Sequence, residues 1–242
     1  MSRVLSTWAV VKQMSQRVPV RSIAYRTRLM PMYTRLYSTA KTCAECGTNN
    51  AMEALQCAKC NRLQPLPSDV DFYEVLGIPL DSIGARGWRV QDGDLKAQWR
   101  RTMAVAHPDR LVSKPGDEQE IGAQQSTIVN KAYETLRQPL QRALYLLQRV
   151  GGVSIEEDQS IQDPSFLMEV LELQEALENA QDQATVDEIN ATNQEHMQGV
   201  LQALDEAFAA NPLDTDRIRD LAMQLRYWTN IEKSIREWQP SA

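Results

Sequence analysis

The placement of the cysteines constrains this chain most. All four fall within eighteen residues, as Cys43-Ala-Glu-Cys46 and Cys57-Ala-Lys-Cys60, with ten residues between the pairs. A two-residue gap lets both thiolates of a turn face one tetrahedral metal ion, and two such turns complete the shell. Gly47 and Asn61 each follow the second cysteine of a pair, and both residue types tolerate the positive φ that such a knuckle requires. Beyond Met52 and Leu55 the segment offers almost nothing to a core. It cannot fold by burial alone, so a bound metal is expected to supply the folding energy of a module over residues 42–64. Zinc fits an all-thiolate site best, while iron uses the same ligands. Two disulfides are the competing reading, which a reducing compartment disfavours. Four protein ligands leave no open position, which implies a structural or docking role rather than catalysis.

The remainder reads as mostly α, because strong helix formers dominate and long β-branched alternation is missing. Residues 61–70, with Pro65 and Pro67, read as a linker, and Asp71–Gly77 as a brief helix stopped by Gly77 and Pro79. Residues 80–93 are rich in glycine and polar residues and read as a loop, in which Trp88 and Arg89 receive no role. A helix is expected from about Asp92 to Ala106, with Leu95, Trp99, Met103 and Ala106 on a buried stripe and Lys96, Arg100 and Arg101 on a basic outer face. His107-Pro108 ends it, since proline removes a donor and disfavours helix in the residue before it. Ile121–Arg137 is helical again, with Ile128, Ala132 and Leu136 on one face, and Pro139 opens a further helix to about Val150. A catalytic His107–Asp109 pair lacks a neighbouring nucleophile or metal. The loop therefore reads as a fixed shape pressed onto another protein, and no enzymatic activity is expected.

The segments DFYEVLGI, LKAQWRR, HPDR and IVNKAYETL resemble a DnaJ-type J domain over residues 71–150. The resemblance implies a four-helix domain built on an antiparallel hairpin. It also implies a DnaK-type heat-shock ATPase as partner, stimulated through His107, Pro108 and Asp109. Lys96, Arg100, Arg101 and Arg110 would give electrostatic support. In that role Pro108 fixes the loop, Asp109 offers a carboxylate to an arginine fork, and the basic helix steers the encounter.

Gly151-Gly152 breaks the chain, and from Val150 to Asp216 there are sixteen acids and no Lys or Arg. A helix from Pro164 to about Ala180 carries Phe166, Val170, Leu173 and Leu177 on one stripe, which suffices to bury it. Leu167, Met168 and Leu171 project away from that stripe, with Glu172 and Glu175 beside them. Either the helix packs on two sides or the second strip binds a partner. Two more helices complete a three-helix bundle over residues 160–238: Val186 to Phe208 marks one, and Leu221 to Trp238 the other. His196 is expected to be a solvent-facing helix residue, and Tyr227 falls off the last stripe and is expected to be exposed. FLMEVLELQEAL closely resembles the scaffold-binding helix of the iron–sulfur-cluster co-chaperone HscB family, and the order of modules over about residues 43–238 is similar to that family. The resemblance implies that Leu167, Met168, Leu171, Glu172, Glu175 and Tyr227 bind a cluster scaffold protein. Where the family has a further acid one turn on, Asn179 stands here.

Residues 1–41 hold eight basic residues, scattered Ser and Thr, and no acid. That is the composition of a mitochondrial transit peptide, with a cut expected after Tyr37 and the matrix as destination. A disordered basic tail is the other reading. The remaining body keeps 18 of the 26 basic residues and all 32 acids, a net charge of −14, which argues against nucleic acid as its ligand. No apolar run is long enough to cross a bilayer, so no membrane partner is expected. The expectation is an ATPase-activating J-domain co-chaperone for iron–sulfur cluster transfer. The alternatives are a general protein-folding or import J protein and a metal–thiolate redox or cluster-carrying protein. Association into a homo-oligomer is left open.

Overall fold

In the computed structural model, residues 40–152, 161 and 163–239 are described. The expected transit segment lies outside them, apart from its last two residues. Those two are part of the cysteine module. Strand β1 (Ala40–Thr42) pairs antiparallel with β2 (Asn49–Ala51), with Lys41 opposite Asn50. A small hairpin thus opens the described part of a chain that composition marks as helical. The Lys41 ammonium group donates to the carbonyls of Met52 and Pro65, both at 2.8 Å. Partial burial of this amine pulls its pKa down to about 8, against an opposing pull from Glu53.

The J-domain region follows. Helix α1 (Phe72–Val75) is capped by Asp71, whose carboxylate accepts from the amides of Tyr73 and Glu74. Helix α2 (Asp92–Ala106) ends at His107, and Pro108–Leu111 then winds a separate short helix, α3. Helix α4 (Gly116–Arg137) begins five residues before the expected Ile121, because Asp117 and Glu118 suit the positive end of a helix dipole although they add no apolar periodicity. Trp99 stacks on Tyr133 at 4.9 Å and donates to Asn130, while Met103 lies beside Ser126. As α2 rises α4 descends, which is the antiparallel hairpin expected. Helix α5 (Pro139–Gly151) closes with Gly152 in the left-handed conformation, φ +63°, at the expected break.

Helices α6 (Pro164–Glu178), α7 (Gln183–Ala209) and α8 (Thr215–Glu237) form the bundle. Glu169 of α6 meets His196 of α7, and Phe166 meets Trp228 of α8 edge-on at 5.3 Å. The bundle does not stand apart from the J domain. One continuous core runs from Leu66 and Tyr73 through Leu136 and Leu146 to Leu204, Ile218 and Trp228.

Two expectations are corrected. The loop at 80–93 winds two short 3-10 turns, Leu80–Ser82 and Ala85–Gly87, and holds the junction. Trp88 is buried and stacks on Phe208 at 5.3 Å, and the guanidinium of the buried Arg142 covers its ring and donates to its carbonyl. Arg86 donates to the carbonyl of Phe208, and Arg89 grips Asp205 through two hydrogen bonds of 2.7 and 2.6 Å. The 61–70 segment is likewise no free linker: Leu63, Gln64, Leu66 and Val70 are buried.

Candidate functional site

Three groups of residues carry the candidate chemistry. At the cysteine cluster, the two knuckles repeat one pattern of hydrogen bonds. The amide of Gly47 donates to Cys43 and that of Asn61 to Cys57, while the amides of Cys43 and Cys57 donate to the carbonyls of Thr48 and Arg62. Gly47 has φ +71° and Asn61 φ +60°, the conformation the spacing requires. The buried Asn50 ties the knuckles together by donating to Thr48 O and accepting from the amide of Ala58.

All four Sγ atoms lie within 4.8 Å of one another, with Cys43–Cys60 at 3.6 Å and Cys46–Cys57 at 3.5 Å. Ligands about 2.3 Å from a tetrahedral ion stand about 3.8 Å apart, so the donor set fits such an ion. These separations are far beyond a disulfide bond, and all four cysteines are free. The amides of Cys60 and Lys59 hold the Cys57 thiol down to about 6. At Cys60 the downward pull of the Arg62 amide is outweighed by burial and by the three neighbouring sulfurs, which push its thiol up to about 12. Four thiolates repel one another when no cation is among them, and a dication removes that conflict. The cluster can hold a metal ion.

The second group surrounds His107. Its backbone is extended, φ −67° and ψ 127°, so it ends α2 and caps α3 at once. Its Nδ1 accepts from the amide of Asp109 at 3.2 Å, a role open only to the unprotonated nitrogen. His107, Pro108 and Asp109 are all exposed, as are Lys96, Arg100 and Arg101 on α2. Arg110 reaches back to the carbonyl of Ala104 at 2.9 Å, so it also caps α2. Val112, one residue beyond α3, is 75% exposed, which apolar periodicity did not single out.

The third group lies on α6. Asp163 caps the helix, accepting from Ser165 and Phe166. Hydrogen bonds from the Ser165 side chain and amide and from the Phe166 amide hold its carboxyl below the usual range. Phe166, Val170 and Leu177 are buried, whereas Leu167, Met168 and Leu171 are 37%, 57% and 47% exposed. Glu172 and Glu175 are exposed on the same face. The helix is therefore packed on one side, and the second apolar strip is open. Asn179, where a further acid was expected, caps the helix end by donating to the Glu175 carbonyl. Tyr227 is half-buried on α8 and stands edge-on at 5.6 Å to Phe166, the residue before Leu167. His196 does not face solvent as expected. It stacks on Trp228 at 4.4 Å, with Glu169 3.5 Å away.

Residues 162–236, which span the three bundle helices, match the family described as the HSCB C-terminal oligomerisation domain. The iron–sulfur cluster co-chaperone protein HscB of Mus musculus is 32% identical over 205 residues, covering 82% of this chain and 83% of that one. The chain belongs to the HscB family of iron–sulfur cluster co-chaperones. A J-type mitochondrial co-chaperone of Saccharomyces cerevisiae is 28% identical over 63% of this chain and 80% of its own length. The crystal structure of human HscB superposes with a TM-score of 0.72 at 27% identity, covering 81% of this chain and 98% of that one. HscB from Vibrio cholerae covers 69% of this chain with a TM-score of 0.59 at 26% identity. In this HscB-family chain the cysteine cluster, the HPD turn and the open α6 strip therefore sit on a co-chaperone fold. Among the described residues, no helix is long and apolar enough to cross a membrane.

Proposed function

We propose that this chain couples a DnaK-type ATPase chaperone to an iron–sulfur cluster scaffold protein, and that it works in the mitochondrial matrix. The observation that carries the reading is the open strip of Leu167, Met168 and Leu171 on a helix whose opposite face already fills the bundle core. Apolar side chains edged by Glu172 and Glu175 suit a partner that offers an apolar patch with basic neighbours. Tyr227, partly exposed on α8 and edge-on to Phe166, adds an aromatic ring to that surface.

At the other end, the exposed HPD turn engages the chaperone. Pro108 sets the turn, the neutral Nδ1 of His107 holds the Asp109 amide, and the Asp109 carboxylate is left to meet an arginine fork. Lys96, Arg100 and Arg101 steer the approach, and Arg110 steadies the end of α2. Hydrolysis takes place in the chaperone; this chain itself makes and breaks no bonds. Cys43, Cys46, Cys57 and Cys60 hold a structural zinc ion, which supplies the module with its folding energy.

The test is the steady-state ATPase rate of the chaperone with added wild-type chain and with His107→Gln. Wild type is expected to raise the rate severalfold, and the variant to leave it at its basal value. Equal stimulation by both would discard the proposal at the chaperone end.

A further inference from the structure

Helix α3 is a single turn, too short to hold its own shape. Its one buried residue is Leu111. Leu111 lies on the bare backbone of Gly122 in α4: a Cβ on that glycine would meet Leu111 Cδ1 at 1.9 Å. The same point is 3.4 Å from Leu63 Cδ1. Leu63 is almost wholly buried and stands three residues after the metal-ligand candidate Cys60. The leucine that anchors the HPD turn and a leucine of the cysteine module thus converge on the same spot of α4.

Residues 62–64 are held from both sides. Toward the cysteines, Arg62 O accepts from the Cys57 amide at 2.8 Å, and the Gln64 side-chain amide donates to Cys43 Sγ at 3.4 Å. Toward α4, Arg62 pairs with Asp117, the Leu63 amide donates to Glu118, and the Gln64 carbonyl accepts from the buried Gln125 at 2.7 Å. Gln125 also donates to Leu55 O at 2.7 Å, so one α4 side chain grips both strands of the bridge between Gln56 and Leu63. The cysteine module has little core of its own, so loss of its metal would free this three-residue segment.

We infer that the four-cysteine module braces the HPD turn, with Leu63 as the positioning residue through which metal occupancy reaches Leu111. The inference rests on the reading that this turn meets the chaperone. With metal bound, Leu63 is held against Leu111 and α3 is presented in one conformation. Without it, Leu111 loses one wall of its site and α3 frays.

The experiment is amide hydrogen exchange on the full chain, zinc-loaded and after removal of zinc by a chelator. Removal is expected to speed exchange at residues 109–113 about tenfold, with α7 and α8 unchanged. Leu63→Ala with full zinc content should give the same local rise. Gly122→Ala, which displaces Leu111 from the α4 side, should give it too without altering zinc content. Leu63→Ala should also raise the concentration needed for half-maximal chaperone stimulation about tenfold, because a binding-competent turn populated one-tenth of the time weakens binding by that factor. Unchanged exchange at 109–113 in the stripped protein and in Leu63→Ala overturns the brace, as does faster exchange with an unchanged half-maximal concentration. His107→Gln separates the two readings: if it still stimulates the chaperone, the HPD reading has failed, and the exchange result still decides whether the brace exists.

Discussion

The J-domain region has two junctions, and they are built from opposite materials. Toward the bundle, the junction is a continuous apolar core with Trp88 stacked on Phe208 and Arg142 laid over the indole. Toward the cysteine module it is mainly hydrogen bonds and ion pairs, with Leu63 buried and Leu55 packed on the core: Arg62 to Asp117, Leu63 to Glu118 and Gln125 to two carbonyls. Burial of aromatic surface holds one junction without outside help. The other depends on a module whose own fold depends on its metal. The difference teaches that the angle between the α2–α4 hairpin and the α6 strip is a fixed property of the chain, whereas support of the HPD turn is conditional.

The comparison breaks most visibly at the metal. Cys57→Ser removes one of four ligands, so metal content should fall to near zero, and residues 40–66 should lose protection from proteolysis. The J domain and bundle should still unfold cooperatively, because their core does not pass through the cysteine cluster. Loss of that cooperative transition would show that the two junctions are not separable.

Next in size is the aromatic junction. Trp88→Ala leaves a cavity against Phe208 and Arg142, and an aromatic-to-alanine change in a core costs about 3–5 kcal/mol. Urea denaturation should show a loss in that range, with metal content unchanged. A loss below about 1 kcal/mol would mean that Trp88 is not the keystone its burial suggests.

The smallest effect belongs to the exposed Arg89–Asp205 pair. Hydrogen bonding to Arg89 holds the Asp205 carboxyl below its ordinary value of 3.8. A depressed folded-state pKa means that the unfolded chain takes up the proton more readily. The contribution is therefore complete above 3.8 and disappears as pH falls through the lower folded value. Arg89→Met should move the denaturation midpoint only slightly at pH 7, and equally at pH 5 and 7. A difference that grows as pH falls would carry the wrong sign.

Much of this was legible in the sequence because it is local. The two CxxC pairs with Gly47 and Asn61 define the knuckles within a few residues, and the double stripe of α6 is a matter of helical phase. The HPD turn was visible as a helix stop, although its continuation into α3 was not. What escaped was long-range. Trp88 meets Phe208 across 120 positions of chain, and no periodicity in a glycine-rich loop announces that pairing. Leu63, Leu66 and Val70 lie in an irregular segment around Pro65 and Pro67, where apolar residues show no phase, so a packed strap reads as a linker. His196 is a polar residue beside the apolar stripe of its helix, and the partner it stacks on comes from α8. Tyr227 meets Phe166 from another helix as well, a contact that joins distant stretches of chain.

The central claim is that this chain carries two separable docking sites at a fixed angle, with the α6 strip choosing the client. It is tested most directly by titrating purified cluster scaffold protein against wild type and against the triple variant Leu167→Ala, Met168→Ala, Leu171→Ala by calorimetry. Removing three half-exposed apolar side chains from an interface should weaken binding by about a hundredfold, while the variant still stimulates the chaperone ATPase in the absence of scaffold. Equal scaffold affinity for both proteins would contradict the account.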